Sequence, residues 1–201
     1  MSAIQPASPL SAVLELAQTC EIDSSHTHQV ARLSLRLFDE LQPLHGLSQR
    51  ERDWLHYAAL LHDIGWIEGW KSHHKVTLRI IMTTPLLPFT NKERMIIGSI
   101  ARYHRKSLPD IKHDHYAALS EEERGFVNIL AGILRLADGL DSSHQERVRD
   151  LTCGKISKKK IIIKCASHNE TKEEIQAALD KTDLMKKVLH REIEIKWEDI
   201  A

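Results

Sequence analysis

The sequence predicts a mainly α-helical protein, a bundle of about six or seven helices followed by a small α+β unit. The first observation is that apolar residues recur at i, i+3, i+7 and i+11 in long segments before residue 148, which is the period of amphipathic helices. The second is that residues 160–164 and 191–197 form short apolar or alternating runs, which are typical of strands. We therefore expect a helical domain over residues 1–147 and a small α+β unit over residues 148–201.

The first predicted helix lies over residues 11–20, and a second begins after potential capping residues at 23–25. Pro43 and Gly46 are expected to end the second helix. Its apolar stripe consists of Val30, Leu33, Leu37 and Leu41. His26 lies four residues before this stripe, so its side chain is predicted to lie on the buried face of the helix.

A capping box at residues 48–51 predicts the start of a third helix that runs to His62. Asp63 follows directly, and Gly65 is suited to end the helix. After a loop, a fourth helix is predicted over residues 73–84. The apolar stripe expected for this helix is His74, Leu78 and Ile81.

The fifth predicted helix begins at Thr90 or Asn91 and places His104 on the face that carries its isoleucines. Residues 107–119 are predicted to form a loop. The last helix of the bundle begins after Ser120. Its stripe comprises Val127, Leu130, Leu134 and Asp138, so it ends on a carboxylate, which is costly to bury alone.

In the carboxyl-terminal unit, residues 160–164 are predicted to form part of a β-hairpin whose turn contains the lysines at 158–160. A single helix is predicted over residues 171–190 and an amphipathic strand over 191–197. The lysine run is typical of a solvated turn that discourages edge pairing.

Composition excludes several classes of protein. The 28 basic and 28 acidic residues give a net charge of zero, so no basic excess argues for nucleic acid and no acidic excess argues for disorder. The three cysteines follow no zinc-finger spacing and indicate a reducing compartment without a disulfide framework. No apolar run has the length of a membrane span, and no secretory leader is evident. We expect a soluble, cytoplasmic protein.

Four polar residues fall on or at the end of apolar helical stripes: His26, His62, Asp63 and Asp138. Each alone is compatible with an ordinary buried polar residue that is hydrogen-bonded in the core. Together they form a mixed imidazole and carboxylate set, which suits a divalent transition metal. A buried polar network without metal remains the structural alternative.

The order and spacing of these four residues resemble the H…HD…D signature of the histidine–aspartate (HD) superfamily of metal-dependent phosphohydrolases. The strings at 58–65, 102–106 and 136–141 are similar to the carboxyl-terminal HD region of exopolyphosphatase/guanosine-pentaphosphate phosphohydrolase proteins. This resemblance covers most of the chain and implies an HD-domain helical bundle. Nothing in the sequence corresponds to the amino-terminal actin-like domains of those proteins, to which polyphosphate hydrolysis is attributed, so that activity does not follow from the resemblance.

The resemblance implies a phosphohydrolase that cleaves a phosphoester or nucleotide with a metal-activated water, and Asp63 is the expected central ligand. Mn²⁺, Fe²⁺, Co²⁺, Ni²⁺ and Zn²⁺ all accept such ligands. Some HD enzymes use two further histidines, which would make His74 and His104 ligands of a second ion here. Arg105 and Lys106, beside His104, are the cations expected to face a phosphoryl group.

Three functional hypotheses remain open from the sequence. The first is a stand-alone hydrolase acting on a small phosphorylated substrate, a nucleotide or polyphosphate. The second is a non-catalytic regulatory module that binds a nucleotide or polyphosphate. The third is a structural helical domain. The sequence predicts no membrane partner and disfavours a nucleic-acid partner, for which the lysines at 158–160 are the one candidate contact, and it is compatible with a homo-oligomer.

Overall fold

The structure, a computed structural model, describes residues 8–20, 23–167 and 172–199. It is mainly α-helical, with a small sheet in the carboxyl-terminal part, as the sequence predicts. The α-helices of the described residues are α1 (Pro9–Thr19), α2 (Ser24–His45), α3 (Gln49–Leu61), α4 (His73–Thr83), α5 (Asn91–Arg102), α6 (Asp114–Ala117), α7 (Glu121–Gly139), α8 (Lys172–Asp180) and α9 (Asp183–Leu189). A 3₁₀ helix, Ile64–Glu68, connects α3 to α4. Among these helices, none is long and apolar enough to cross a membrane.

The helix starts follow the capping residues in the sequence. Ser48, Thr90 and Ser120 each form a capping box with the glutamate three residues later, at the start of α3, α5 and α7. Such boxes satisfy two backbone N–H groups that a helix leaves unpaired at its amino end. The position at which each of these helices begins is therefore determined locally.

Helix α7 is the centre of the bundle. It contacts α2, α3, α5, α8 and α9, and every residue from 130 to 141 is buried. A helix that is buried on all sides must be apolar all round, and this explains why the segment 130–137 contains a single charged residue, Arg135. The carboxyl end of α7 carries Asp138, which lies close to His26 at the start of α2 and to His62 at the end of α3.

The sheet has three strands, in the order β1 (Asp150–Ile156), β2 (Lys160–Ser167) and β3 (Glu192–Asp199). Strands β1 and β2 form an antiparallel hairpin, and β3 pairs with β2 in parallel after the chain crosses over through α8 and α9. The buried residues alternate along β2, as expected for a sheet with one solvated face. The buried apolar members of this face in β2 and β3 are Ile161, Ile163, Cys165, Ile193 and Ile195.

The structure corrects the predicted elements at four places. Pro43 lies inside the last turn of α2, which ends at Gly46 with a left-handed φ of 63°. The loops predicted before α4 and α7 contain the 3₁₀ helix and the short helix α6. The single helix predicted over 171–190, whose first residue lies outside the described residues, is two helices with a break at Lys181 and Thr182. His104 lies just beyond the end of α5 rather than on the helix.

Candidate metal centre

The ends of five helices bring six potential ligands together in the middle of the bundle. His26 is in the first turn of α2, His62 and Asp63 follow α3, and Asp138 is in the last turn of α7. The other two are His73, the first residue of α4, and His104, which follows α5. Helix ends suit this purpose because each contributes side chains from a rigid element to one common point.

The first ligand group consists of His26, His62 and Asp138, all of them buried. Nε2 of His26 lies 3.5 Å and Nε2 of His62 lies 3.9 Å from Oδ1 of Asp138. The three candidate ligand atoms lie within 4.8 Å of one another. Two imidazole nitrogens and a carboxylate oxygen at this separation can bind one divalent transition metal.

The second ligand group consists of Asp63, His73 and His104. Oδ1 of Asp63 lies 3.1 Å from Nε2 of His73 and 3.5 Å from Nε2 of His104. Its other oxygen, Oδ2, lies 3.5 Å from Nε2 of His62, in the first group. Asp63 therefore lies between the two groups and presents one oxygen to each.

Four histidines are held by their Nδ1 atoms so that Nε2 faces the centre. Nδ1 lies 2.7 Å from the Ala59 carbonyl in His62, 2.6 Å from the Ala101 carbonyl in His104 and 3.0 Å from the Trp70 carbonyl in His73. In His26 it lies 2.8 Å from Oδ2 of Asp141. A carbonyl accepts only from an N–H, so these contacts assign the proton to Nδ1 and leave Nε2 free to bind a metal.

Several of the inward-facing atoms have nothing to bind. Nε2 of His26, Nε2 of His62 and Oδ1 of Asp63 are buried and have no hydrogen-bond partner among the described residues. Buried polar atoms without partners are destabilising and are rare in native proteins. Their convergence on one point fits a bound cation, and the donor types fit a transition metal.

At Asp63, Asp138 and His104 the electrostatics favour the protonation states that bind metal. Burial alone would raise the pKa of Asp63, but His62, His73 and His104 outweigh it and hold the pKa of this carboxyl well below its usual range. Burial also opposes ionisation of Asp138, but nearby cations, chiefly Lys181, hold the pKa of this carboxyl well below its usual range. Burial lowers the pKa of His104 to about 3, so this imidazole is neutral at physiological pH.

The ligands open onto a cleft of about 870 Å³, part of which is open solvent. The Arg105 guanidinium lies over the indole of Trp70, 5.3 Å from the ring centroid, and Lys106 lies beside it on the cleft wall. Trp66 contributes a second, half-exposed indole. The cleft therefore combines an acidic, histidine-rich floor with cationic and aromatic walls.

The structure brings together the sequence-predicted residues His26, His62, Asp63, Asp138 and His104, and it places Arg105 and Lys106 at the same cleft. His74 lies outside both ligand groups, in a neighbouring groove, where burial and Arg102 lower its pKa to about 4. The histidine of α4 that faces Asp63 is the preceding residue, His73.

Sequence reasoning missed His73 because it took the apolar stripe of α4 to be 74, 78 and 81. The residues of α4 that point inward are His73, Thr77 and Ile81, at i, i+4 and i+8. Thr77 is polar, and its hydroxyl donates to the His62 carbonyl and accepts from the Gly65 N–H. Asp141 and Lys181 were also missed, since neither continues an apolar stripe.

Comparison with known proteins identifies relatives. The sequence model of the family described as "Ppx/GppA phosphatase, domain III" matches residues 10–192. The chain is 30% identical over 122 residues to a guanosine-5'-triphosphate,3'-diphosphate pyrophosphatase of Pseudoalteromonas atlantica, which is 60% of this chain and 24% of that protein. It is 26% identical over 118 residues to the protein of the same name from Vibrio vulnificus, which is 58% of this chain and 23% of that protein.

The chain thus spans about a quarter of the length of these curated relatives. The family match, in contrast, includes every ligand of both groups and most of the carboxyl-terminal unit. On this evidence the chain belongs to the Ppx/GppA phosphatase domain III family.

Proposed function

We propose that this protein is a phosphohydrolase that cleaves a phosphoester or nucleotide with a water activated by a divalent transition-metal ion. The observation that carries the proposal is the pair of ligand groups joined by Asp63, with buried ligand atoms that have no partner among the described residues. His26, His62 and Asp138 would hold one ion, and Asp63, His73 and His104 a second. Bound ions of this kind lower the pKa of a water and polarise a phosphoryl oxygen.

The chain's own residues have three roles in this reaction. Asp63 orients both ligand groups, and Asp141 and the backbone carbonyls keep the imidazole rings in place. Arg105 and Lys106 on the cleft wall bind the anionic part of the substrate. In hydrolysis the water oxygen forms a bond to phosphorus, the ester P–O bond breaks, and the leaving oxygen takes up a proton.

The names of the relatives suggest a nucleotide polyphosphate as one substrate to test first. The exposed indoles of Trp66 and Trp70 at the cleft provide aromatic surfaces that can stack on a base. A phosphate-rich nucleotide therefore fits the cleft better than a neutral ester does. Linear polyphosphate is the alternative substrate with the same anionic chemistry.

The test begins with the metal content of protein purified without a chelator, followed by turnover of guanosine pentaphosphate, polyphosphate and simple phosphate esters. We expect one or two equivalents of transition metal per chain and phosphate release. Asp63→Asn should reduce turnover at least about 100-fold and lower the metal content, because one carboxylate serves both groups. Asp114→Asn, which alters an exposed aspartate, is the matched control.

Three results would contradict the proposal in different ways. If the protein takes up no metal on titration, the cluster is a polar core and not a metal centre. A protein that takes up metal and binds nucleotide or polyphosphate but releases no product would be the regulatory module that the sequence left open. Unchanged turnover in the Asp63→Asn variant would also refute the assignment of this site.

A further inference from the structure

The carboxyl-terminal unit packs directly against the helix that carries Asp138. A Cβ at Gly139 would lie 2.6 Å from the Cα of Ala178 in α8, and a Cβ at Gly132 would lie 3.3 Å from the Cα of Met185 in α9. These two glycines are seven residues apart, and therefore on one face of α7. Their missing side chains allow α8 and α9 to approach the backbone of α7 closely.

An ion pair between a buried arginine and an exposed aspartate fixes the same contact. Arg135 of α7 donates from Nε and Nη2 to the two carboxylate oxygens of Asp183 in α9, at 3.1 and 3.0 Å, and from Nη1 to the Tyr103 carbonyl at 3.1 Å. The Arg135 side chain is 5% exposed. A bidentate arginine has a defined geometry, so the break between α8 and α9 has a defined position relative to the metal centre.

Lys181 is in this break, and its side chain reaches the metal centre. Its backbone N–H donates to the Ala178 carbonyl at 3.1 Å, which positions the residue at the end of α8. Its Nζ donates to Oδ2 of Asp138, and its side chain lies on the wall of the cleft, 27% exposed. The other oxygen of the same carboxylate, Oδ1, is the one that faces His26 and His62.

We propose that Lys181 binds the phosphoryl group of the substrate, so that the carboxyl-terminal unit supplies part of the active site. An ammonium has three N–H donors, and the contact with Asp138 uses one of them. The carboxylate thus anchors a cation beside the first ligand group, on the wall of the cleft. This inference rests on the proposed function, because it requires a phosphorylated ligand at the metal centre.

The charge of Lys181 also complements the other cations of the cleft. Arg105 and Lys106 lie on the cleft wall, on the segment that follows α5, whereas Lys181 comes from the carboxyl-terminal unit. Cations from different parts of the chain suit a ligand with several phosphoryl oxygens. The direct contact with a metal ligand distinguishes Lys181 from the exposed lysines of α8 and α9.

The test measures two quantities on the full chain: metal uptake per chain, and the affinity of the metal-loaded protein for inorganic phosphate, by calorimetry. Lys181→Met keeps the length of the side chain and removes its charge, and Lys181→Arg keeps the charge. Lys187→Met, at an exposed position of α9, is the matched control. We expect Lys181→Met to take up the same amount of metal and to bind phosphate about 10- to 100-fold more weakly, the usual effect of losing a hydrogen bond between charged groups. Lys181→Arg should recover most of the affinity, and Lys187→Met should resemble wild type.

Each remaining outcome overturns the inference. Wild-type phosphate affinity in Lys181→Met would show that the lysine only covers Asp138, and the proposed function would stand. Loss of metal together with phosphate would show that Lys181 acts through the position of Asp138, and circular dichroism would show whether the variant is folded. A wild-type protein that takes up no metal would refute the proposed function and this inference with it.

Discussion

The substitution Gly65→Ala should weaken metal binding by the second ligand group and leave the first group unaffected. A Cβ at this position would lie 2.1 Å from the carbonyl oxygen of His73 and 2.8 Å from the backbone nitrogen of Thr77. Its φ is not among the left-handed values, so alanine is excluded by the contact with α4 and not by backbone conformation. Since both contacts are to backbone, α4 must move as a unit to accommodate the methyl group.

The size of this movement follows from the distances. Carbon and oxygen in close contact lie about 3.3 Å apart, so the amino end of α4 must shift by about 1 Å in Gly65→Ala. His73 is the first residue of α4 and moves with it, whereas metal ligands must remain within about 0.2 Å of their proper distances. We expect metal affinity of the second group to fall about 10- to 100-fold and the free energy of unfolding to fall by about 1–3 kcal/mol.

The assay is metal titration followed by urea unfolding. We expect Gly65→Ala to retain the ion held by His26, His62 and Asp138, because none of these residues is on α4. Gly125→Ala is the control: its Cβ would meet nothing within 4 Å, and alanine in a helix stabilises by up to about 1 kcal/mol relative to glycine. If Gly65→Ala binds metal with unchanged stoichiometry and affinity, then the proposed link between α4 and the second group is wrong.

Two further outcomes follow from the same structure. Gly139→Ala should lower the free energy of unfolding by about 1–3 kcal/mol in urea, because its Cβ would lie 2.6 Å from the Cα of Ala178, and an unchanged midpoint would refute the close packing of α8 on α7. In the metal-free protein, Asp138 and Asp141 outweigh the effect of burial and raise the pKa of His26 to about 9, against an ordinary 6.5. The charged form is therefore favoured by folding, so stability should be highest below pH 6.5 and fall by at most about 3 kcal/mol as the pH rises to about 9. Thermal unfolding between pH 6 and 9.5 in a chelator measures this fall, which should be absent in His26→Gln.

The fold was predictable from the sequence where a local signal determines it. Capping residues predicted the starts of three helices, and the i, i+3, i+7, i+11 pattern of α7 identified its buried face. The break at Lys181 and Thr182 was not predictable, because the sequence around it continues in a helical pattern and contains neither proline nor glycine. Helices α8 and α9 each pack closely on α7, at Gly139 and Gly132, and such tertiary contacts leave no periodic signal.

The candidate site was predictable to the extent that its residues extend apolar stripes. His26 and Asp138 do so, and His62 and Asp63 end one. This reasoning did not identify His73. The next residue on the inward face of α4 is Thr77, which is polar and whose hydroxyl forms hydrogen bonds with the backbone of the connection after α3. A polar side chain that serves a buried backbone cannot be distinguished from a solvated one by its spacing alone.

The arrangement of the imidazoles favours a metal centre over a polar network without metal. A self-sufficient network pairs each inward acceptor with an inward donor, whereas here the Nδ1 protons of His62, His73 and His104 are directed at carbonyls outside the centre. Nε2 of His73 then lies 3.3 Å from Nε2 of His104, so two lone pairs face each other beside an oxygen of Asp63, and the long contact from Nη1 of Arg105, at 3.5 Å, reaches only His73. One proton could relieve this contact only by charging an imidazole, and burial opposes that in His104, whose pKa is about 3. A divalent cation satisfies all three atoms at once, and this is the physical reason to regard the cluster as a metal site.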